Sequence, residues 1–282
     1  VRRNQFTDVR GPGDFGLPRV DAYQGAALFL STPRGRNWLW ALWLSANSPT
    51  ATDWKTFSFP TSANPYISAA EIESARATMP DRLFRQEFLA EFIDDRGAVF
   101  RNVYEVSTAE PVGPVAGNSY VFGVDFGRHN DFTAVSVFNV DTKTQVYLDR
   151  FTETSFAVQR ARIAALAAKY RPTLILAELN SIGEPNVEQL IADGLPVQGF
   201  YTTGASKGPL IDALAVAIEN SAVTLLDDPV QIDELLSYEM DRLPSGRYTY
   251  SAPSGLHDDT VIATALAWKA ASSFQPAVLF AV

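Results

Sequence analysis

The 282-residue chain contains no cysteine. Disulfide scaffolds, thiolate metal sites and cysteine nucleophiles are therefore excluded. Its two histidines are His129 and His257, too few for a histidine-built metal centre, so any metal must be held mainly by oxygen. The longest strongly apolar run, Trp38 to Leu44, is far short of the roughly 20 residues of a membrane-spanning helix. Methionine occurs only at Met79 and Met240, and the sequence opens Val1-Arg2-Arg3-Asn4 with no signal peptide. It reads as a piece of a longer protein. No G-x-x-x-x-G-K-[ST] phosphate loop is present: Gly11-Pro12-Gly13-Asp14 has the wrong spacing and no lysine. No apolar strand ends in an Asp-Glu pair. ATP hydrolysis is not expected of the chain as given.

What is present is an ordinary globular composition, 46% apolar and 20% charged, which argues against disorder and fibrous repeats. The net charge is −9, from 23 basic and 32 acidic residues. Residues 118–275 hold 11 basic and 19 acidic residues, a balance of −8, and the remainder 12 and 13, a balance of −1. Bulk acidity alone argues against a nucleic-acid partner. A cluster of carboxylates holding divalent cations reverses that argument locally.

The start of the chain is a Gly- and Pro-rich entry loop. Ala26 to Leu30 reads as a strand, Trp38 to Ala46 as an apolar helix and Thr56 to Phe59 as a short strand. Ser68 with Glu71 forms a capping box. Pro80 to Glu91 places Leu83, Phe84, Phe88 and Phe92 on one helical stripe. Pro111 to Gly117 is the best linker candidate. Tyr120 to Phe126, Thr133 to Val140 and Gln145 to Phe151 then read as three antiparallel strands, with a turn at Asp141-Thr142-Lys143-Thr144. Helices are expected at Phe156–Lys169, Val187–Ala192, Pro209–Asn220, Pro229–Met240 and Asp258–Ala271. Strands are expected at Leu174–Leu179 and Val197–Phe200, with a hairpin at Leu243–Ser251. The order specifies an α/β fold, a mixed sheet with helices on both faces.

Four carboxylates stand out. Asp125 ends the first buried strand, where a charge is expensive unless paired or bound to a cation. Glu178 directly follows the core strand Leu174-Ile175-Leu176-Ala177, and Asn180 and Gly183 then turn the chain. Asp258 and Asp259 open the last helix, where acids commonly serve only as caps and dipole partners. Taken together, they fall where ligands bind open α/β sheets, at the carboxyl ends of strands. Converging carboxylates repel, and Mg²⁺ or Mn²⁺ relieves that repulsion. Two such ions about 4 Å apart clamp the attacking and leaving oxygens of a phosphodiester.

The ordered set Gly123-Val124-Asp125-Phe126-Gly127, Ala177-Glu178-Leu179-Asn180 with Gly183, and Leu256-His257-Asp258-Asp259 resembles the RNase H-like nuclease domain of phage terminase large subunits, the DNA-packaging motors. Leu28 to Asn37, with Ser31, Thr32 and Pro33, looks like the coupling motif near the end of the terminase ATPase domain. Phe84 to Phe92 and Gly97 to Phe100 look like the passage from ATPase to nuclease. The resemblance implies a partial P-loop-type ATPase remnant with lid helices at 1–95, a linker at 96–117 and the nuclease at 118–275. It further implies a two-ion endonuclease acting on double-stranded DNA, with Asp125, Glu178, Asp258 and Asp259 as metal-binding and catalytic residues. Portal protein and small terminase subunit are the implied partners. The implied location is the host cytoplasm, transiently at the procapsid portal.

Arg128, His129, Lys207, Arg242 and Arg247 are the candidate DNA contacts, and His257 is placed to orient the last motif or to pack there. Three rivals carry a different outcome. Asp125-Phe126-Gly127 also fits the phosphate turn of actin-like and sugar-kinase ATPases, but no second phosphate loop or adenosine-binding Gly pair accompanies it. A resolvase or transposase would use the same metals for strand transfer, and the coupling segment upstream speaks against it. A docking module with a dead site would not need all four acids.

Overall fold

The computed structural model describes residues 27–33, 38–93, 97–127, 131–152, 154–180, 183–243 and 248–274. The chain divides into two compact units, residues 1–32 and 33–282. Residues 27–32, the described part of the first, have no regular structure.

In the second unit, α1 (Trp38–Ala46), α2 (Ala69–Thr78) and α3 (Asp81–Phe88) come first. The Ser68 capping box forms: its hydroxyl accepts the Glu71 N–H at 3.2 Å, and Glu71 accepts the Ser68 N–H at 2.9 Å. Then follow β1 (Gly97–Ala98), α4 (Val103–Val106), β2 (Ser107–Ala109), β3 (Tyr120–Asp125), β4 (Thr133–Asn139) and β5 (Thr144–Phe151). Next are α5 (Phe156–Tyr170), β6 (Leu174–Glu178), α6 (Gly183–Ala192), β7 (Val197–Phe200) and α7 (Lys207–Glu219). The remainder is β8 (Leu225–Leu226), α8 (Pro229–Ser237), β9 (Glu239–Arg242), β10 (Tyr248–Ser251) and α9 (Asp259–Ser272).

The main sheet has the order β5-β4-β3-β6-β7. β3 and β5 flank β4 antiparallel, while β6 and β7 run parallel to β3. This is the expected mixed sheet. Because side chains alternate across a strand, its two faces bury separate cores. Tyr120, Phe122 and Val124 join Ile163 of α5 and Leu190 of α6 on one face. Val121 and Leu176 join Leu214 of α7, Leu235 of α8 and Leu266 of α9 on the other.

Several elements differ from their sequence expectations. Residues 27–33 and 56–59 form no strand; apolar runs become strands only where neighbours supply ladder partners. α6 starts at Gly183, earlier than expected, and α8 ends at Ser237, after which the chain turns into β9 and pairs antiparallel with β10. Residues 97–109 are built into the fold: β1 pairs with β9, β2 pairs with β8, and Val99, Phe100, Val103 and Val106 are core residues, while 111–117 form no helix or strand. Upstream of them, Arg82 is buried in an ion pair with Asp212 of α7 and donates to the Tyr250 hydroxyl of β10 at 3.2 Å. The Asp81 N–H donates to Glu219 at 3.0 Å. α3 is thereby tied to α7.

α9 crosses β3 at Gly123. A Cβ there would lie 2.0 Å from the Ala263 carbonyl oxygen and 2.3 Å from the Ala267 nitrogen. Backbone cannot yield as a flexible side chain can, so Gly123→Ala must push the helix off the sheet. The expected cost is about 3 kcal/mol, at the severe end for overpacking, measured by urea unfolding. A loss below about 0.5 kcal/mol, ordinary for a surface change, would contradict this packing.

Candidate active site

Register brings the acids together. β3 and β6 pair in parallel through Gly123↔Leu176 and Val124↔Ala177, so Asp125 and Glu178 end neighbouring strands at the same edge. Both share the parity of Val121 and Leu176 and so belong to the face that α9 covers. The bare Gly123 lets α9 approach, and its first turn carries Asp259 with Asp258 just before it. A second glycine shapes the other side: a Cβ on Gly183 would meet the Glu178 carbonyl oxygen at 1.9 Å, so α6 begins directly against the end of β6. Asn180 donates to the Glu178 carboxylate at 3.1 Å and to the Thr202 carbonyl at 2.6 Å. It turns the chain, as expected, and also orients the acid.

Burial and like charge dominate the electrostatics. Asp125 is buried, and its pKa lies well above the ordinary carboxylate range. Desolvation is the largest cause; hydrogen-bonding contact with Glu178 and the charges of Glu178, Asp259 and Asp258 all act in the same direction. Asp259 is pushed up to about 7, first by burial and then by Glu234, with Arg150 pulling the other way. Its Oδ2 is buried without a hydrogen-bond donor. Asp258 occupies the N-cap position of α9 yet makes no capping hydrogen bond with its side chain, so the simple cap role does not account for it. Its carboxylate pairs with Lys207 Nζ at 3.3 Å. The Tyr238 hydroxyl faces it from a buried position, its own pKa raised chiefly by burial and then by Asp258.

The four acids influence one another electrostatically, but among the described residues no three Asp, Glu or His side chains are arranged so as to hold a metal ion. Basic groups face two of these acids. His257 Nδ1 lies 3.7 Å from Asp259 Oδ2, and the His257 ring meets Phe132 edge-on at 5.1 Å; it both packs and faces the motif. Arg150 Nη2 lies 3.7 Å from Asp259 Oδ2. Lys207, read as a phosphate contact, is turned to Asp258. Arg128, His129, Arg247 and the side chain of Arg242 lie outside the described residues. Ser31 and Thr32 belong to the first unit and Pro33 to the second, in chain without regular structure.

Sequence reasoning missed Arg150, Glu234 and Tyr238. Arg150 reaches the site only through the β4–β5 register, and Glu234 and Tyr238 only through the packing of α8 on α9; none has a local motif. An all-oxygen donor set, a buried carboxyl raised by like charge and a buried carboxylate oxygen without a hydrogen-bond donor suit hard divalent cations.

Comparison with known proteins gives this geometry a family. A large terminase subunit of Thermus virus P23-45 is 29% identical over 283 aligned positions, covering 89% of this chain and 57% of its own length. That of Escherichia phage T5 is 27% identical over 70% of this chain and 51% of its own. The chain thus spans about half the length of these relatives. Among solved structures, the large terminase nuclease of thermophilic phage G20c superposes with a TM-score of 0.58 and 26% identity, over 63% of this chain and 99% of that one. The same nuclease has also been solved with bound magnesium, with a TM-score of 0.57. Residues 122–270, over half of the chain, match the family described as the terminase RNaseH-like domain, and the chain belongs to that family.

Proposed function

We propose that this chain is the nuclease-bearing part of a phage terminase large subunit and that it cuts double-stranded DNA during genome packaging, using divalent cations. The observation that carries the reading is the pairing of Asp125 with Glu178 at one sheet edge, beneath an α9 whose start presents Asp258 and Asp259. The family match, and magnesium and cobalt in the G20c nuclease, support it over the kinase-like and strand-transfer alternatives.

Asp125, on the central strand, would be the ligand shared between two ions, Glu178 would bind one of them, and Asp259 would complete the site with Asp258 beside it. When bound, Mg²⁺ or Mn²⁺ supplies Lewis-acid charge at the scissile phosphate. The chain's own contribution is to gather and desolvate the acids, to orient Glu178 through Asn180, and to hold Asp258 with Lys207 until DNA arrives. Lys207, Arg128, His129, Arg242 and Arg247 are the proposed phosphate contacts. Contacts should go mainly to the backbone, since no recognition-helix signature is present.

Residues 1–95 are read as the end of the ATPase domain, 96–117 as the passage and 118–275 as the nuclease. Portal protein and small subunit are the expected partners in the host cytoplasm. No helix among the described residues is long and apolar enough to cross a membrane.

Incubation of supercoiled plasmid with the protein tests the reading. Nicked and linear products of no fixed sequence should form with Mg²⁺ or Mn²⁺ and vanish with EDTA. Asp125→Asn should lower the rate at least about 100-fold, within the range for loss of an electrostatic stabiliser, with an unchanged circular dichroism spectrum. Four cationic phosphate contacts, at about −0.9 each, give a log–log salt dependence of about −3.6 for binding. Cleavage that survives EDTA, or strong nicking by Asp125→Asn, would contradict the assignment.

A pH dependence follows from the raised acids. Cations must displace the protons of Asp125 and Asp259, so affinity should rise with pH through about 7. Without cations the sign for stability is the opposite. Between about pH 4 and 7 the folded Asp259 holds a proton that the unfolded one has lost, so its contribution worsens as pH rises. Metal-free Asp259→Asn should gain on the wild type in thermal midpoint across that window. A gap independent of pH would show that Asp259 titrates normally.

A further inference from the structure

α9 begins without a side-chain cap of its own, and the group that fills the role comes from another element. Glu234 of α8, itself buried, accepts the Thr260 N–H at 2.9 Å and the Thr260 hydroxyl at 2.5 Å. Thr260 is the second helical residue of α9, the position whose orphan N–H an N-cap side chain normally satisfies. Glu234 therefore acts as a surrogate cap, and Asp258 is left free to turn elsewhere.

A buried glutamate beside a buried aspartate is unfavourable unless a cation joins them. That cation is Arg150. Asp125 pairs across the sheet with Ala134, and Ala134 with Arg150, so Arg150 rises from the same face as Asp125, two strands away, with only a methyl group between them. Its guanidinium lies 3.4 Å from the centre of the Phe132 ring. Nη2 is 3.0 Å from Glu234 Oε1 and 3.7 Å from Asp259 Oδ2. Phe132 in turn meets His257, which faces the same aspartate oxygen.

We propose that Arg150 is a positioning residue of the acid site: through Glu234 it fixes the first turn of α9, so that Asp258 and Asp259 are freed from capping and presented toward Asp125 and Glu178. This rests on the reading of those acids as the cation site. It differs from a direct DNA role, which Arg150 could otherwise fill as part of the wall of an open groove of about 530 Å³ with Val230, Leu256 and His257.

Two variants separate these roles. Arg150→Lys keeps the charge but loses the planar fork and the ring stacking; Glu234→Gln keeps the shape but loses the charge. Each is titrated with Mn²⁺ by calorimetry in the absence of DNA, melted thermally, and assayed for plasmid nicking against both Mn²⁺ and DNA concentration. Loss of a group that orients metal ligands typically lowers metal affinity by about 10- to 100-fold. That loss is expected in both variants, with cooperative melting retained, nicking recovering at high Mn²⁺, and the DNA concentration for half-maximal rate unchanged. If Arg150→Lys fails to fold, Glu234→Gln carries the test. Mn²⁺ affinity within twofold of wild type in the folded variants would overturn the proposal. So would a raised DNA requirement at unchanged Mn²⁺ affinity, which would make Arg150 a phosphate contact. Absence of Mn²⁺ binding by the wild type itself would overturn the cation-site reading and this proposal with it.

Discussion

Asp125 sits buried at the end of the central strand, in contact with Glu178 and in the field of Asp258 and Asp259. Its charge is costly there for two reasons, lost hydration and like-charge repulsion, and both act in the same direction. What surrounds it can be understood as a response. Lys207 holds Asp258, Arg150 and His257 face Asp259, and Asn180 holds Glu178. These groups face Asp258, Asp259 and Glu178, and among the described residues none is paired with Asp125, whose pKa stays raised by burial and by the neighbouring acids. An edge of this kind favours hard cations because they offset what the protein's own basic groups leave uncompensated.

The same constraint joins fold to site. Asp125, Gly123 and Val121 lie on one side of β3, so the strand that carries the acid also carries the gap into which α9 fits. The helix presents Ala263 and Ala267 to Gly123, and its apolar residues fill the core between the sheet and α7 and α8. Moving α9 by the radius of one methyl group displaces Asp258 and Asp259 relative to Asp125. Small residues at this crossing thus bear on chemistry as well as on packing.

Much of this was legible in the sequence because it is local. Apolar alternation located β3, β4 and β5, the continuous run Leu174 to Ala177 located β6, and the acids at strand ends and at a helix start marked the site. Ser68 with Glu71 announced its helix. The illegible part is non-local. Nothing near Arg150 says that two strands of register carry it to Asp259, and nothing near Glu234 says that it caps a helix more than twenty residues later. Asp258 looked like a cap from its position; the cap came from elsewhere. Apolar runs at 27–30 and 56–59 failed as strands because pairing depends on partners that a window of sequence does not contain, and residues 97–98 and 107–109 become strands because β9 and β8 receive them.

On the proposed reading, these acids form one cation site shared at Asp125. Anomalous scattering from a crystal soaked in Mn²⁺ tests it most directly. Two peaks are predicted, both within coordinating distance of Asp125, one also reaching Glu178 and the other Asp259. Peaks confined to other carboxylates, or none at Asp125, would contradict it.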